Sequence, residues 1–201
     1  MKLIKLKIAI LATVGLAVSL SAGRAEPLAT RNCTWCHGGT PAQGYTPAPR
    51  LAGQKYQYIL KQISDFRWHR RNNPYSKLYM WAAGGHLTPQ RAHHLAAYFS
   101  SLSPMPANDG DRELVARGRR MFAEGIPDAN IPSCVACHGP RGQGFGEIPR
   151  IGGLAYTYLR RRLEQWAEGY DASALHPMPE VAGKMSPRMI AALASYLSFV
   201  K

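Results

Sequence analysis

The chain has 201 residues, and its 25 Lys and Arg residues outnumber 12 Asp and Glu residues, which gives a formal net charge of +13 at pH 7. Beyond the N-terminal segment no stretch is apolar and long enough to cross a bilayer, which excludes a polytopic membrane protein. The charge alone would suit a nucleic-acid partner, but the export signal described next argues against one and leaves solubility or an acidic partner.

Residues 1–25 have the layout of a secretory signal peptide. Three lysines precede an apolar run over residues 8–20, and small residues follow it. The run is shorter than the roughly 20 residues of a spanning helix, which favours a removed signal over a retained membrane anchor. We expect cleavage after Ala25, with Ala22 and Gly23 as alternative positions. The mature protein is then periplasmic, with peripheral membrane association as a further option.

The pentapeptide Cys-x-x-Cys-His occurs twice and uses all four cysteines of the chain: Cys33, Cys36, Cys134 and Cys137. Two thiols at this spacing add to the vinyl groups of a porphyrin, and the adjacent histidine, His37 or His138, becomes the proximal iron ligand. A disulfide does not require the adjacent histidine. A zinc ribbon has its cysteine pairs roughly 15 to 20 residues apart, which the pairs of this chain are not. The motifs therefore predict two covalently bound haem c groups.

The two motifs lie in two copies of one sequence. Residues 49–53 match residues 149–153 at an offset of 100, and residues 87–89 match residues 185–187 at an offset of 98. A stretch rich in Pro, Gly and Asp separates the copies and is typical of a linker. The duplication predicts a first haem domain, a linker and a second haem domain: residues 26–104, 105–111 and 112–201.

Apolar residues recur at helical spacing in both copies, and no strand pattern is present. Thr88 and Ser186 each precede a proline, as an N-cap residue precedes a proline in the first helical position, so each copy should close with a helix. A further helix is expected over residues 114–124. We predict an all-α fold of two tandem helical domains, each wrapped around one haem.

The second axial ligand decides whether a haem carries electrons or binds a substrate. Candidates in the first copy are Met80, His69, His86, His93 and His94; in the second they are Met178, His176, Met185 and Met189. Only Met80 and Met178 are equivalent, each seven residues before the matched 87–89 or 185–187 segment. A lone methionine more often fills core space, but equivalence in two copies favours ligation. Ligation by His and Met closes the sixth position, which predicts an electron carrier rather than an enzyme.

A proline and an arginine follow each haem motif at matched positions. Pro49 and Pro149 come 12 and 11 residues after their haem histidines, so a carbonyl in this segment can accept the histidine Nδ1 proton. Arg50 and Arg150 are placed to pair with haem propionates, and a solvated surface position is the equal alternative.

The positive charge is concentrated in the first copy. Residues 26–106 contain nine Lys and Arg against two Asp and Glu, a net +7, whereas residues 107–201 contain twelve against ten, a net +2. We expect six basic residues of the first copy to steer it to an acidic redox partner or an anionic membrane surface: Lys55, Lys61, Arg67, Arg70, Arg71 and Lys77.

The chain resembles the dihaem cytochrome c4 family of periplasmic electron carriers. The resemblance is carried by the two haem motifs, by the run Pro-Arg-Leu-Ala-Gly-Gln at residues 49–54 with its echo at 149–153, and by Met80 and Met178. It implies tandem cytochrome c-like domains whose haems face one another across a pseudo-twofold axis. It also implies single-electron transfer in a respiratory chain towards a terminal oxidase.

The lead-in before the first motif, residues 26–32, is more similar to the dihaem subunit of flavocytochrome c sulfide dehydrogenases. This similarity implies an alternative function as the electron-accepting subunit of a periplasmic dehydrogenase that oxidises sulfide or an alcohol. In either role the partners are redox proteins: a membrane cytochrome complex or a dehydrogenase as donor, and a terminal oxidase as acceptor.

Overall fold

The computed structural model describes residues 31–38, 48–171 and 177–201. Over these residues the chain forms helices and turns with two isolated bridges and no β-sheet, so the predicted all-α fold is confirmed. None of the helices in this part of the chain has the length and hydropathy that a membrane crossing requires. The predicted signal peptide lies outside the described residues.

The described part of the chain contains nine α-helices: α1 Arg31–His37, α2 Tyr56–Arg67, α3 Trp81–Gly85, α4 Pro89–Ser101, α5 Val115–Glu124, α6 Val135–His138, α7 Tyr156–Ala167, α8 Met178–Gly183 and α9 Pro187–Ser198. A π-helical turn, Ser76–Met80, leads directly into α3. Helices α1 to α4 belong to the first copy of the repeat, and α5 to α9 belong to the second.

The closing helix of each copy begins at the predicted N-cap. The Thr88 hydroxyl accepts a hydrogen bond from the backbone of Arg91 at 3.3 Å, and Pro89 occupies the first turn of α4. The Ser186 hydroxyl accepts from the backbone of Met189 at 3.3 Å at the start of α9. Each hydroxyl accepts a hydrogen bond from a backbone N–H that has no acceptor within the helix. The proline in the first turn has no N–H that would need one.

The core of the first copy forms where α2 packs on α4, through the buried side chains of Ile59, Leu95 and Phe99. Helix α3 also packs against α2 and approaches it closely at Gly84. A Cβ atom at Gly84 would lie 2.9 Å from Cβ of Phe66. The absence of a side chain here lets the segment that carries Met80 pack against α2.

The core of the second copy is larger and centres on the packing of α5 against α9. Phe122 and Leu197 are each only 1% exposed, and Leu163 of α7 joins them. The two helices come so close that a Cβ atom at Gly118 would lie 2.0 Å from the carbonyl oxygen of Ala192. Helix α5 and the preceding 3-10 turn, Arg112–Leu114, confirm the helix expected over 114–124.

One of the contacts between the two copies is made by the amide side chain of Gln54. The buried Gln54 Nε2 donates to the carbonyl oxygen of Arg150 at 2.9 Å, and its Oε1 accepts from the Arg150 N–H at 2.7 Å. The Gln54 amide therefore pairs with both backbone groups of Arg150, the N–H and the carbonyl. This contact joins the Pro-Arg segment that follows one haem motif to the same segment of the other.

Two candidate haem sites

The first site is built on α1, which carries Cys33, Cys36 and His37. Nδ1 of His37 donates to the carbonyl oxygen of Pro49 at 2.7 Å. This bond fixes the tautomer, so Nε2 holds the lone pair that an iron ion requires. Burial lowers the pKa of His37, more than the bond to Pro49 raises it, which favours the neutral imidazole that binds a metal.

The second site repeats this geometry on α6, where Cys134 and Cys137 precede a buried His138. Nδ1 of His138 donates to the carbonyl oxygen of Pro149 at 3.0 Å, and burial lowers the pKa of His138 despite that bond. Burial also raises the pKa of the Cys134 thiol to about 11, which favours an uncharged sulfur. A thioether is uncharged, so this surrounding suits a sulfur bonded to a porphyrin.

No disulfide joins the four cysteines, all of which lie within the described residues. Each pair therefore keeps both sulfurs for thioether bonds, with Cys33 and Cys134 half-buried and Cys36 and Cys137 exposed. Two cysteines outside any disulfide, followed by a histidine whose Nδ1 is already bonded, form the donor set of a covalent haem. The residues of both sites fit that group.

Met80 and Met178 occupy the start of a short helix in both copies. Met80 ends the π-helical turn that leads into α3, and Met178 begins α8 directly after Pro177. Both side chains are half-buried, and Met178 packs against the core of the second copy. Their role as axial ligands stays a prediction from the repeat.

Most of the other ligand candidates are engaged elsewhere. His69 is exposed and stacks on Trp81 at 3.8 Å between ring centroids, and the exposed His93 hydrogen-bonds the Tyr56 hydroxyl through Nδ1 at 2.6 Å. Met185 is buried in the core, and the Met189 sulfur accepts from the Ser186 N–H at 3.4 Å. His86 and His94 are exposed, whereas His176 lies outside the described residues.

Arg50 and Arg150 differ in their surroundings although they are equivalent in the repeat. Arg50 makes two long hydrogen bonds, of 3.4 Å each, to the carbonyl oxygens of Met105 and Pro106. Arg150 is 7% exposed, so the alternative of a solvated surface position is wrong for it. Its Nη2 is buried and has no hydrogen-bond partner among the described residues. A buried, unpaired guanidinium nitrogen fits an anionic group such as a haem propionate.

Sequence reasoning missed the residues that connect the copies. Gln54 lies within the conspicuous Pro-Arg-Leu-Ala-Gly-Gln run, but its counterpart in the second copy is Leu154, so the repeat gave no reason to single it out. Arg71 was expected on a basic surface. The structure instead places its guanidinium against Gln62 and Tyr158, at 2.5 and 3.3 Å. A comparison of the two copies could have identified both residues, because each is a polar residue at a position where the copies differ.

The chain is similar to known cytochromes in sequence and in structure. The sequence pattern of the family described as Cytochrome c matches residues 115–201. Cytochrome c4 of Pseudomonas aeruginosa is 34% identical, with 96% of this chain and 97% of that protein covered. A thiosulfate dehydrogenase electron acceptor of Stutzerimonas stutzeri is 36% identical, with 89% and 82% covered. A solved structure of cytochrome c4 from Acidithiobacillus ferrooxidans superposes with a TM-score of 0.77 at 32% identity, with 83% of this chain and 98% of that chain covered.

Proposed function

Because this chain belongs to the cytochrome c4 family, we propose that it carries single electrons through the periplasm towards a terminal oxidase. Its two Cys-x-x-Cys-His motifs fit two covalent haem c groups, which supply one-electron chemistry when bound. The chain is an electron carrier, so its residues hold and tune the haems rather than transform a substrate. The signal-like segment, residues 1–25, supports the periplasmic location.

The observation that carries this proposal is the paired hydrogen bond from each haem histidine to the proline carbonyl behind it. His37 and His138 are both oriented in this way, at 2.7 and 3.0 Å. Such a bond holds the ring and makes the ligand more basic. Met80 and Met178 would hold the two irons as sixth ligands, which would leave no open position for peroxide or oxygen and would suit outer-sphere electron transfer.

The test is the visible spectrum of the purified dihaem protein with Met80→Ala and Met178→Ala. We expect each variant to lose about half of the weak sulfur-to-iron absorption band, because each removes one of two thioether ligands. Leu78→Ala and Val181→Ala, close in sequence to the methionines, serve as controls that should keep the band. A spectrum unchanged in either Met variant would show that another residue binds that iron.

A second candidate function is the electron-accepting subunit of a periplasmic dehydrogenase. It is favoured by the likeness to the thiosulfate dehydrogenase electron acceptor of Stutzerimonas stutzeri. A dedicated subunit should co-purify with its enzyme and be reduced by it alone, whereas a free carrier should purify by itself and accept electrons from several donors. Gel filtration of the protein from its native periplasm, followed by haem staining, distinguishes the two.

The surface of the first copy supports an acidic partner. Trp68, Leu78 and Tyr79 are 67%, 71% and 53% exposed, and the basic side chains of Arg70 and Lys77 are exposed beside them in sequence. Apolar and aromatic side chains bordered by positive charge suit a redox protein with an acidic rim. We propose this aromatic basic surface, which consists of these five residues, as the place where the acidic partner binds.

A further inference from the structure

An aromatic stack ties the chain around Met80 to the segment that follows α2. The ring of His69 lies on the ring of Trp81, with 3.8 Å between the ring centroids and 12° between the ring planes. Nε1 of Trp81 donates to the carbonyl oxygen of Arg71 at 2.9 Å, and Nζ of Lys77 lies 5.7 Å from the centre of the Trp81 ring. Trp81 directly follows Met80, so these contacts restrain the backbone from which the methionine extends.

The backbone of His69 shows that its ring is present for a reason other than the turn. His69 has a φ of 56°, in the left-handed region that disfavours residues with a Cβ and suits glycine. The equivalent residue of the second copy, at the offset of 100, is Gly169, with a φ of 87°. The turn can therefore form without a side chain. His69 differs from Gly169 in the stack that it makes with Trp81.

The second copy restrains its methionine by another means. The residue equivalent to Trp81 is Pro179, and Pro177 precedes Met178 on the other side. Each proline fixes its own φ, so covalent geometry restricts the backbone on both sides of this methionine. Met80 has no proline beside it, and its backbone depends on side-chain contacts instead.

Helix α3 needs such contacts, because it has only five residues and a helix of that length is not stable by itself. Its C-terminal end packs against α2, where Gly84 permits the approach to Phe66. Its N-terminal end, where the chain leaves the π-helical turn at Met80, is restrained by the stack of Trp81 with His69. The stack thus fixes the end of α3 that carries the methionine.

We propose that His69 and Trp81 are positioning residues that hold Met80 on the first iron and so exclude outside ligands from it. The proposal rests on Met80 as the sixth ligand, as proposed above. Imidazole can bind this iron only where its nitrogen replaces the Met80 sulfur, with no change of oxidation state. Its apparent affinity is therefore reduced by the fraction of molecules in which the methionine is held. Loss of the stack lowers that fraction at the first haem alone.

The test is a titration of the ferric dihaem protein with imidazole, in a Met178→His parent. His/His ligation closes the second iron, so the sulfur-to-iron band that remains belongs to Met80 and its loss reports imidazole at the first iron. His69→Asn keeps a residue that tolerates the left-handed region but removes the ring. Trp81→Leu removes the other ring, and His69→Tyr restores a ring at the same position.

Two matched controls remove the same kinds of ring outside the stack. His94→Asn changes an exposed histidine of α4, and Phe145→Leu changes an aromatic residue of the second copy that is 81% exposed. Neither residue contacts His69 or Trp81 in the stack. Both controls should bind imidazole within about twofold of the parent, as surface changes usually have small effects.

We expect the imidazole dissociation constant to fall about fivefold in His69→Asn and about tenfold in Trp81→Leu, because an aromatic pair changes an equilibrium constant by up to about tenfold. His69→Tyr should stay within about twofold of the parent. The proposal is overturned if His69→Asn binds imidazole as the parent does, if a control matches it, or if His69→Tyr loosens Met80 as much as His69→Asn. His69 is exposed, so its variants decide the question even where Trp81→Leu does not fold.

Met80→Ala in the same parent separates this proposal from the ligand assignment. If the sulfur-to-iron band persists in that variant, Met80 does not bind the iron, and both the assignment and the role of the stack fail. If the band is lost while His69→Asn and Trp81→Leu bind imidazole as the parent does, Met80 stands as the ligand and only the role of the stack is refuted.

Discussion

Asp171 forms a buried ion pair with Arg162, at 2.8 Å between Oδ2 and Nη2, and it also connects the two copies. Its carboxylate accepts from the backbone N–H of Asn72 and the side chain of Asn73, at 2.5 and 3.0 Å, and its own N–H donates to the Asn72 side chain at 2.9 Å. Burial alone would raise the pKa of Asp171. The charge of Arg162 and these hydrogen bonds outweigh it and hold the pKa below its ordinary value.

We predict that Asp171→Asn destabilises the protein at pH 7 and flattens its response to acid. A carboxyl group whose pKa is lowered by folding stabilises the native state above its unfolded pKa of about 3.9, and this contribution is lost as the pH falls through the lower native value. Loss of one partner of a buried ion pair costs about 3 to 5 kcal/mol. Urea unfolding at several pH values between 7 and 2 measures both effects.

The control for this prediction is Asp128→Asn, which removes an exposed carboxylate of the second copy. A surface change of this kind should alter the free energy of unfolding by no more than about 0.5 kcal/mol. Equal effects of the two variants, or an Asp171→Asn curve parallel to that of the wild type between pH 5 and 2, would contradict the role given to the Asp171 carboxylate.

At the scale of helices, the second copy depends on the close approach of α5 to α9. Gly118 permits it, because any Cβ there would lie 2.0 Å from the Ala192 carbonyl oxygen and 2.7 Å from Cβ of Tyr196. We predict that Gly118→Ala lowers the free energy of unfolding by about 1 to 3 kcal/mol through overpacking, although alanine is the better helix former by about 1 kcal/mol. Thermal unfolding of the haem-loaded protein measures the change.

Gly183 provides the matched control. It ends α8, and a Cβ atom there would meet nothing within 4 Å. Gly183→Ala should therefore stabilise the protein by about 0.4 to 1 kcal/mol, because it restricts the unfolded chain at no cost in the folded state. The account of the α5–α9 contact fails if the two substitutions change stability in the same direction.

Helices and haem sites could be predicted where the cause is local in sequence. The N-caps at Thr88 and Ser186 depend on side chains and backbone groups three residues apart, and a haem motif fixes its own ligand within five residues. The contact of Gln54 with Arg150 spans 96 residues and depends on how the copies pack, which no local pattern encodes. The repeat predicted positions at which the copies agree, such as the N-caps at Thr88 and Ser186, and gave no signal where the copies differ.

At the scale of the whole molecule, the two copies have similar folds and different charges. The net +7 of residues 26–106 against +2 of residues 107–201 gives the molecule a positive end. The aromatic basic surface lies in that first copy. A positive end attracts and orients an acidic partner from a distance, which raises the rate of association more than the affinity. The first copy is therefore the one expected to meet the acceptor.

The last prediction concerns this steering. Stopped-flow oxidation of the reduced protein by oxidase-containing membranes should slow steeply as salt rises from about 0.01 to 0.1 M, since the Debye length falls from about 30 to 10 Å. Lys77→Glu in the aromatic basic surface should slow the reaction at low salt by about tenfold, within the range that steering supplies. Arg119→Glu on the exposed face of α5 reverses the same charge in the second copy and should have a much smaller effect. A rate that does not depend on salt, or an equal loss in both variants, would place the docking surface elsewhere.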